Sequence, residues 1–160
     1  GVRLGQLDRS EEAISVYDNI DRRYGGDASA ALRELVANAL VNKAFCLGQL
    51  DRSEEEISVY DDIDRRYGGD ASAALREQVA KALYNKGVRL GQLDRSEEAI
   101  SVYDNIDRRY GGDASAALRE LVANALVNKA FCLGQLDRSE EEISVYDDID
   151  RRYGGDASAA

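Results

Sequence analysis

A tandem repeat is the feature of this sequence that most restricts how the chain can fold. The string LGQLDRSEE recurs with a period of 43 residues, beginning at Leu4, Leu47, Leu90 and Leu133. Residues 1–74 also recur unchanged as residues 87–160, so the pair of units is itself copied. Such identity follows from recent duplication, from strong homogenisation or from design, and the sequence is consistent with all three. Units of this length cannot bury their apolar faces alone, so they stack on their neighbours and share a continuous core.

The shorter half of each unit is predicted to be a helix, over residues 53–67 in the second copy. Ser53 and Glu56 have the spacing of a capping box, in which each side chain accepts a backbone N–H of the first turn. The residues that follow with helical spacing on one apolar face are Ile57, Tyr60, Ile63 and Tyr67. Gly68 is expected to end this helix, because glycine adopts the left-handed conformation readily.

The longer half of each unit is predicted to be a helix from Asp27 or Ser29 to about Leu50. Its apolar residues share one broad face: Leu32, Val36, Ala39, Leu40, Ala44, Leu47 and Leu50. Only Asp51 and Arg52 separate it from the next capping serine, and a link this short makes the two helices pack antiparallel as a hairpin. The sequence therefore predicts an all-α solenoid of antiparallel helix pairs.

The spacing of five residues around the third copy of this string resembles the tetratricopeptide repeat. These residues are a bulky position, a small one, a large one, an alanine and an aromatic: Leu83, Gly87, Leu90, Ala99 and Tyr103. The period of 43 exceeds the usual ~34 and is similar to that of a bacterial class of such repeats with nearly identical units of about 42 residues. The resemblance implies a right-handed α–α superhelix, formed by a single array over residues 1–160.

Two substitutions depart from the family pattern. A glycine replaces the usual proline after the short helix in every unit, at Gly25, Gly68, Gly111 and Gly154. The small alanine of the short helix is replaced by Glu56 and Glu142 in alternate units. Because a carboxylate is costly inside a helix interface, this side chain is expected to turn back to its own helix cap.

Both ends of the sequence are predicted to fall within a long helix. By analogy with residues 75–86, a segment LREQVAKALYNK would precede Gly1, and Ala160 lies near the start of a further long helix. Isolated solenoids usually carry a polar capping helix at each end, and neither end has one here. We therefore expect the apolar end faces to be covered by other molecules in a head-to-tail assembly.

The positions that differ between alternate units indicate a candidate binding face on the long helices. By resemblance, the second, fifth and ninth positions of a tetratricopeptide repeat line its concave groove. Those positions are here Asn38, Val41, Phe45, Lys81, Tyr84, Val88, Asn124, Val127 and Phe131. Such a groove would bind a peptide or a partner helix. The alternative is that the same face packs between neighbouring units or neighbouring molecules.

Charge and composition exclude several functions. The net charge of −10 is the opposite of the basic footprint that nucleic acids and anionic membranes require. The sequence has no histidine, and no nucleophile–base pair or phosphate loop is visible, so we expect neither catalysis nor a metal or other cofactor.

The acidic runs around Asp21 and Asp62 lie on predicted helices and are interpreted as solvated faces. Cys46 and Cys132 are interpreted as small apolar fillers in a reducing, cytoplasmic compartment, with an intermolecular bond left open.

These observations favour a protein-binding scaffold that uses the concave face of its long helices and performs no catalysis. The alternative is a structural repeat protein, natural or engineered, that associates head to tail without a specific ligand. In both cases the partner is a protein or a peptide.

Overall fold

The computed structural model describes the backbone of residues 2–155 and the side chains of residues 6–155. That part of the chain contains seven α-helices and no strand. Their bounds are α1 Val2–Tyr24, α2 Ala30–Gln49, α3 Ser53–Tyr67, α4 Ala73–Gln92, α5 Ser96–Tyr110, α6 Ala116–Gln135 and α7 Ser139–Tyr153. The all-α prediction is confirmed. The further long helix expected near Ala160 lies outside the described residues.

Long helices of 20 residues alternate with short helices of 15 residues from α2 onwards. The bounds predicted for the short helix, 53–67, are those of α3. The long helix α2 begins at Ala30 and ends at Gln49, one residue before the predicted end. Before it, the Asp27 carboxylate accepts the backbone N–H of Ser29 at 2.8 Å, which fixes the chain entering the helix.

The turn between a long helix and its short helix is closed by an aspartate in the left-handed conformation. Asp51 has φ 57°. The N–H of Arg52 donates to the carbonyl of Leu47 at 2.9 Å, and the N–H of Asp51 donates to that of Gly48 at 3.2 Å. This is the hydrogen-bond pattern of a Schellman motif, in which the last helical carbonyls are satisfied by the turn itself. Asp94 and Asp137 repeat it with φ values of 58° and 56°.

The first copy of the same sequence does not form this turn. Leu7, Asp8 and Arg9 are helical within α1, which continues to Tyr24 without a break. The expectation of a hairpin turn in every copy of the repeat is therefore wrong for the first copy. The same local sequence is therefore compatible with both a continuous helix and a turn.

The chain divides into two compact units, residues 1–82 and 83–160. In the first unit α2 packs against both α1 and α3, and in the second unit α6 packs against both α5 and α7. The core of each unit is formed by apolar residues of the long helices with the aromatic and branched residues of the short helices. Among those with almost no exposed surface are Val36, Leu47, Ile63, Tyr103, Val122 and Leu133.

The glycines after the short helices do not serve the purpose that the sequence indicated. No glycine in the described part of the chain has a positive φ, and Gly68 remains in the right-handed region. Gly25 instead avoids a clash, because a Cβ there would overlap Oδ1 and the carbonyl oxygen of Asp21 and would also lie 2.7 Å from Nη2 of Arg66. Arg66 donates to the Gly25 carbonyl at 3.1 Å and pairs with Asp21 at 2.8 Å. In the second unit Arg152 makes the equivalent contacts with Asp107 and Gly111.

The predicted capping box of the short helix is also wrong. The helix α3 begins at Ser53 itself, and no side-chain hydrogen bond caps its N-terminus. Glu56 is only 4% exposed, and its carboxylate accepts a hydrogen bond from the Tyr60 hydroxyl at 3.1 Å. A hydroxyl donor one helical turn away therefore makes burial of this carboxylate tolerable, which the proposed return to the cap did not anticipate.

Two glycines of α4 provide a matched test of the packing between α4 and α5. A Cβ on Gly87 would lie 2.5 Å from Cε1 of Tyr103, whose ring is 1% exposed, whereas a Cβ on Gly91 meets only Cys132 Sγ at 3.9 Å. We expect Gly87→Ala to lower the free energy of unfolding by about 1–3 kcal/mol, since overpacking must displace a buried ring.

Gly91→Ala is the control and should be neutral or stabilising by up to about 1 kcal/mol, because it only adds helix propensity. Urea denaturation followed by circular dichroism at 222 nm measures both variants. Equal stability of the two would contradict the close packing of Gly87 on Tyr103.

Candidate functional site

The nine residues predicted to line a groove all retain solvent-accessible surface. The largest apolar exposures are those of Phe45 at 63%, Phe131 at 62% and Val127 at 43%. Asn38, Lys81 and Asn124 are exposed, and Val41, Tyr84 and Val88 are half-buried. This exposed set is called the long-helix face here. In the first unit it comprises Asn38, Val41, Phe45 and Lys81, and in the second unit it comprises Tyr84, Val88, Asn124, Val127 and Phe131.

Helical periodicity explains why the long-helix face stays open while its neighbours are buried. In α2, Val36, Leu40 and Ala44 are between 0 and 2% exposed, whereas Asn38 and Phe45 lie on another side of the same helix. Residues three or four positions apart share a face, so the core stripe and the long-helix face run parallel along each helix.

A cavity of about 320 Å³ adjoins the long-helix face in the second unit. It lies where α4, α5 and α6 approach one another. Its lining residues are Val88, Gly91, Gln92, Tyr103, Asn128, Phe131, Cys132 and Gln135. Two of the predicted site residues, Val88 and Phe131, are therefore brought together. None of these side chains carries a charge at neutral pH, and three are amides.

A hydrogen bond connects two of the helices that line this cavity. The Asn128 amide donates to the Tyr84 hydroxyl at 3.0 Å, which links α6 to α4. The rings of Tyr84 and Tyr103 lie 6.4 Å apart between centroids and are tilted by 52°, a favourable arrangement for an aromatic pair. Burial raises the pKa of Tyr103, against the smaller effect of its hydrogen bond with Asn128, so its hydroxyl is neutral at physiological pH.

Sequence reasoning missed Asn128 and Tyr103 as cavity residues. It selected the positions at which alternate units differ, but Asn128 has an identical counterpart in Asn42 and Asn85, and Tyr103 recurs in every unit. No comparison between units could mark them. The sequence marks Asn128 as a possible neighbour of the site only by its position one helical turn before Phe131.

Cys132 lines the cavity as a packed thiol. Its side chain is 3% exposed, and burial raises its pKa. Burial also raises the pKa of the half-buried Cys46. A raised pKa lowers the thiolate fraction that makes a cysteine nucleophilic, so both residues fit the interpretation as apolar fillers.

The corresponding cavity of the first unit has a different character. It measures about 390 Å³ and is lined by Gln6, Leu7, Arg9, Ser10, Ala13, Cys46 and Gln49. It contains the charged Arg9 and does not include Phe45. The difference follows from the continuous helix α1, which places residues 6–13 where the second unit has the end of α4 and a separate short helix.

Aspartates of the acidic runs form ion pairs with nearby lysine and arginine side chains. Asp62 pairs with Arg65 and Arg66 of its own helix. Asp18 pairs with Lys43 at 2.6 Å. Within residues 2–155 no group of three or more cysteine, aspartate or glutamate side chains is placed to hold a metal ion. In the same part of the chain, no helix combines the length and the hydrophobicity needed to cross a bilayer.

Comparison with known proteins gave no match. No protein-family model matches the chain, and neither a curated protein nor a solved structure is significantly similar to it. Arguments about its function therefore depend on the geometry of its own residues.

The exposure of the long-helix face predicts that alanine substitutions at two residues of α6 will have very different effects on the free energy of unfolding. Phe131→Ala should change the free energy of unfolding by less than about 0.5 kcal/mol, because the ring is largely in solvent. Leu126→Ala, at a position that is 3% exposed, should cost about 2–5 kcal/mol. Thermal and urea unfolding measure both. A comparable loss in the Phe131 variant would show that this face is covered by packing, as the alternative interpretation holds.

Proposed function

We propose that this chain is a non-enzymatic protein-binding module, built as a tetratricopeptide-like repeat array, whose long-helix face binds a peptide or a partner helix. The observation that supports this most directly is the accessibility of Phe45 and Phe131. Two aromatic rings that are 63% and 62% exposed are retained in a chain whose core positions are almost fully buried. Exposed aromatic residues are enriched at protein interfaces, where their burial supplies most of the binding energy.

The uncharged cavity beside Phe131 determines which kind of peptide side chain is expected to occupy it as the anchor of the bound segment. A site of about 320 Å³ accommodates one large side chain of a peptide. Because Gln92, Asn128 and Gln135 offer amides and no charged group, the anchor should be aromatic or aliphatic rather than ionised. A charged anchor would lose its hydration there without gaining an ionic partner.

Among the long helices α4 is the most basic, since α2 and α6 each have a net charge of only +1, and this suggests how the anchor is flanked. The long helix α4 has four basic residues and one acidic residue, a net charge of +3. The short helix α3 has six acidic and two basic residues, a net charge of −4. A segment that approaches α4 therefore meets positive charge in a chain that is acidic as a whole. Acidic residues beside an apolar anchor complement this surface.

A peptide-display selection against the folded chain tests the proposal. We expect selected peptides to share an aromatic or large aliphatic residue flanked by acidic residues. Binding of the synthetic peptides, followed by fluorescence anisotropy, should weaken at least about tenfold in Phe131→Glu, since one buried aromatic anchor is worth roughly 1.4 kcal/mol or more.

The matched control is Ile143→Glu, which introduces the same charge at another exposed apolar residue, 60% exposed on α7. It should leave binding of these peptides unchanged. Selection of no peptides, or of peptides that bind the Phe131 variant as tightly as the original chain, would refute the use of the long-helix face.

A further inference from the structure

The cavity of the second unit lies beside a glycine whose counterpart one repeat later faces a filled space. A Cβ added to Gly91 would meet, among the described residues, only Sγ of Cys132 at 3.9 Å. A Cβ added to Gly134 would lie 2.9 Å from Oε2 of Glu142. The two glycines hold the same position in α4 and α6. The space next to this glycine is therefore open in the hairpin of α4 and α5 and occupied by a carboxylate in the hairpin of α6 and α7.

The residue responsible for this difference is one that changes between alternate copies. Glu142 of α7 corresponds to Ala99 of α5. Ala99 is fully buried and lies one helical turn before Tyr103, whose ring lines the cavity. A glutamate at this position reaches the glycine of the preceding long helix, as Glu142 reaches Gly134, whereas an alanine ends at its Cβ. Ala99 thus leaves the space beside Gly91 open.

A second position that changes between copies lines the same space. Cys132 lines the cavity of the second unit, and in the first unit Ala13 and Cys46 line one cavity together. The sequence changes both positions at once, since the alternate copy has Glu56 in place of the alanine and Arg89 in place of the cysteine. Two small residues are thus exchanged for an acid and a base, which can share a confined space because buried charges are tolerated as pairs.

We propose that Ala99 and Cys132 keep this cavity open for a ligand, and that the ligand group it takes is an uncharged aromatic ring. The two small side chains leave a space that a glutamate and an arginine at the same positions would close. The inference rests on the proposed function in one respect, which is that the ring in the natural partner is the anchor side chain of the bound peptide.

The walls of the cavity favour an aromatic ring over an aliphatic group. The rings of Tyr103 and Phe131 and the thiol of Cys132 line it. Aromatic rings attract one another in tilted or offset arrangements, and sulfur atoms make favourable contacts with ring edges. An aliphatic group of the same size gains neither contribution. The site should therefore discriminate between a ring and its saturated equivalent.

A small neutral indole tests the site without any peptide. The chain contains no tryptophan, so the indole of N-acetyltryptophanamide can be excited selectively. This probe is titrated with the full chain under reducing conditions while its fluorescence anisotropy is recorded. We expect saturable binding with a Kd on the order of 1 mM, which is typical of a ligand of this size. As competitors, 4-methylphenol should displace the probe at least about fivefold more effectively than 4-methylcyclohexanol, which has a similar size but no aromatic ring.

A double variant transfers the residue pair of the alternate copy into this cavity. Ala99→Glu combined with Cys132→Arg should weaken binding of the probe at least about tenfold, because the two larger side chains occupy the space that the ring needs. The matched control is Ala99→Ser combined with Cys132→Ser, which makes both positions polar but keeps them small. This control should change the affinity by less than about twofold.

The double variant is expected to fold, and its thermal melt checks this. The introduced acid has Tyr103 one helical turn after it, as Glu56 has Tyr60, whose hydroxyl donates to the Glu56 carboxylate at 3.1 Å. Gly91→Leu is an independent variant that fills the cavity from α4 with an apolar side chain. It should also weaken binding of the probe at least about tenfold.

Three results would overturn the proposal. They are the absence of saturable probe binding by the original chain, undiminished binding by the folded double variant or by Gly91→Leu, and a loss of affinity in the serine control as large as that in the double variant. Failure of the proposed function has a different signature. If peptide selection yields no binder while the probe binds and the double variant does not bind it, the peptide partner is refuted and the aromatic site stands. If selected peptides bind the double variant as tightly as the original chain, the role of Ala99 and Cys132 is refuted and the long-helix face stands.

Discussion

The architecture depends on one backbone conformation, the left-handed aspartate that ends each long helix. At Asp51 the chain reverses over two residues, and the N–H of Arg52 satisfies the carbonyl of Leu47. A left-handed residue other than glycine costs on the order of 1 kcal/mol, and an aspartate tolerates it better than most because its short polar side chain can hydrogen-bond locally. The reversal brings a short helix back along the long helix that precedes it. The packing of α3 on α2, and of α7 on α6, depends on this turn.

The same three residues are helical in the first copy, so the turn is not a property of the local sequence alone. Leu7, Asp8 and Arg9 continue α1, whereas Leu50, Asp51 and Arg52 do not. After α2 the turn brings α3 back onto α2 and buries apolar residues of both helices, which offsets the cost of the left-handed residue.

This balance explains how much of the fold and site the sequence could predict. The bounds of α3 followed from its apolar periodicity, because a regular stripe has few competing interpretations. The roles of Gly25 and Glu56 did not follow, since each depends on particular side-chain contacts. A Cβ on Gly25 would clash with Asp21 of its own helix and with Arg66, 41 residues away, and the buried Glu56 accepts a hydrogen bond from Tyr60 one turn later in α3. Propensity rules describe the backbone preference of a residue and do not specify such contacts.

The candidate site was only partly predictable for a related reason. Differences between copies identified positions where side chains are free to vary, and Leu35, Asn38 and Phe45 are indeed exposed. Those differences could not reveal Asn128, which is the same in every complete long helix and yet links α6 to α4. Its partner Tyr84 does occupy a position that varies, since the equivalent residues are Val41 and Val127, so the hydrogen bond is not one that every copy can make.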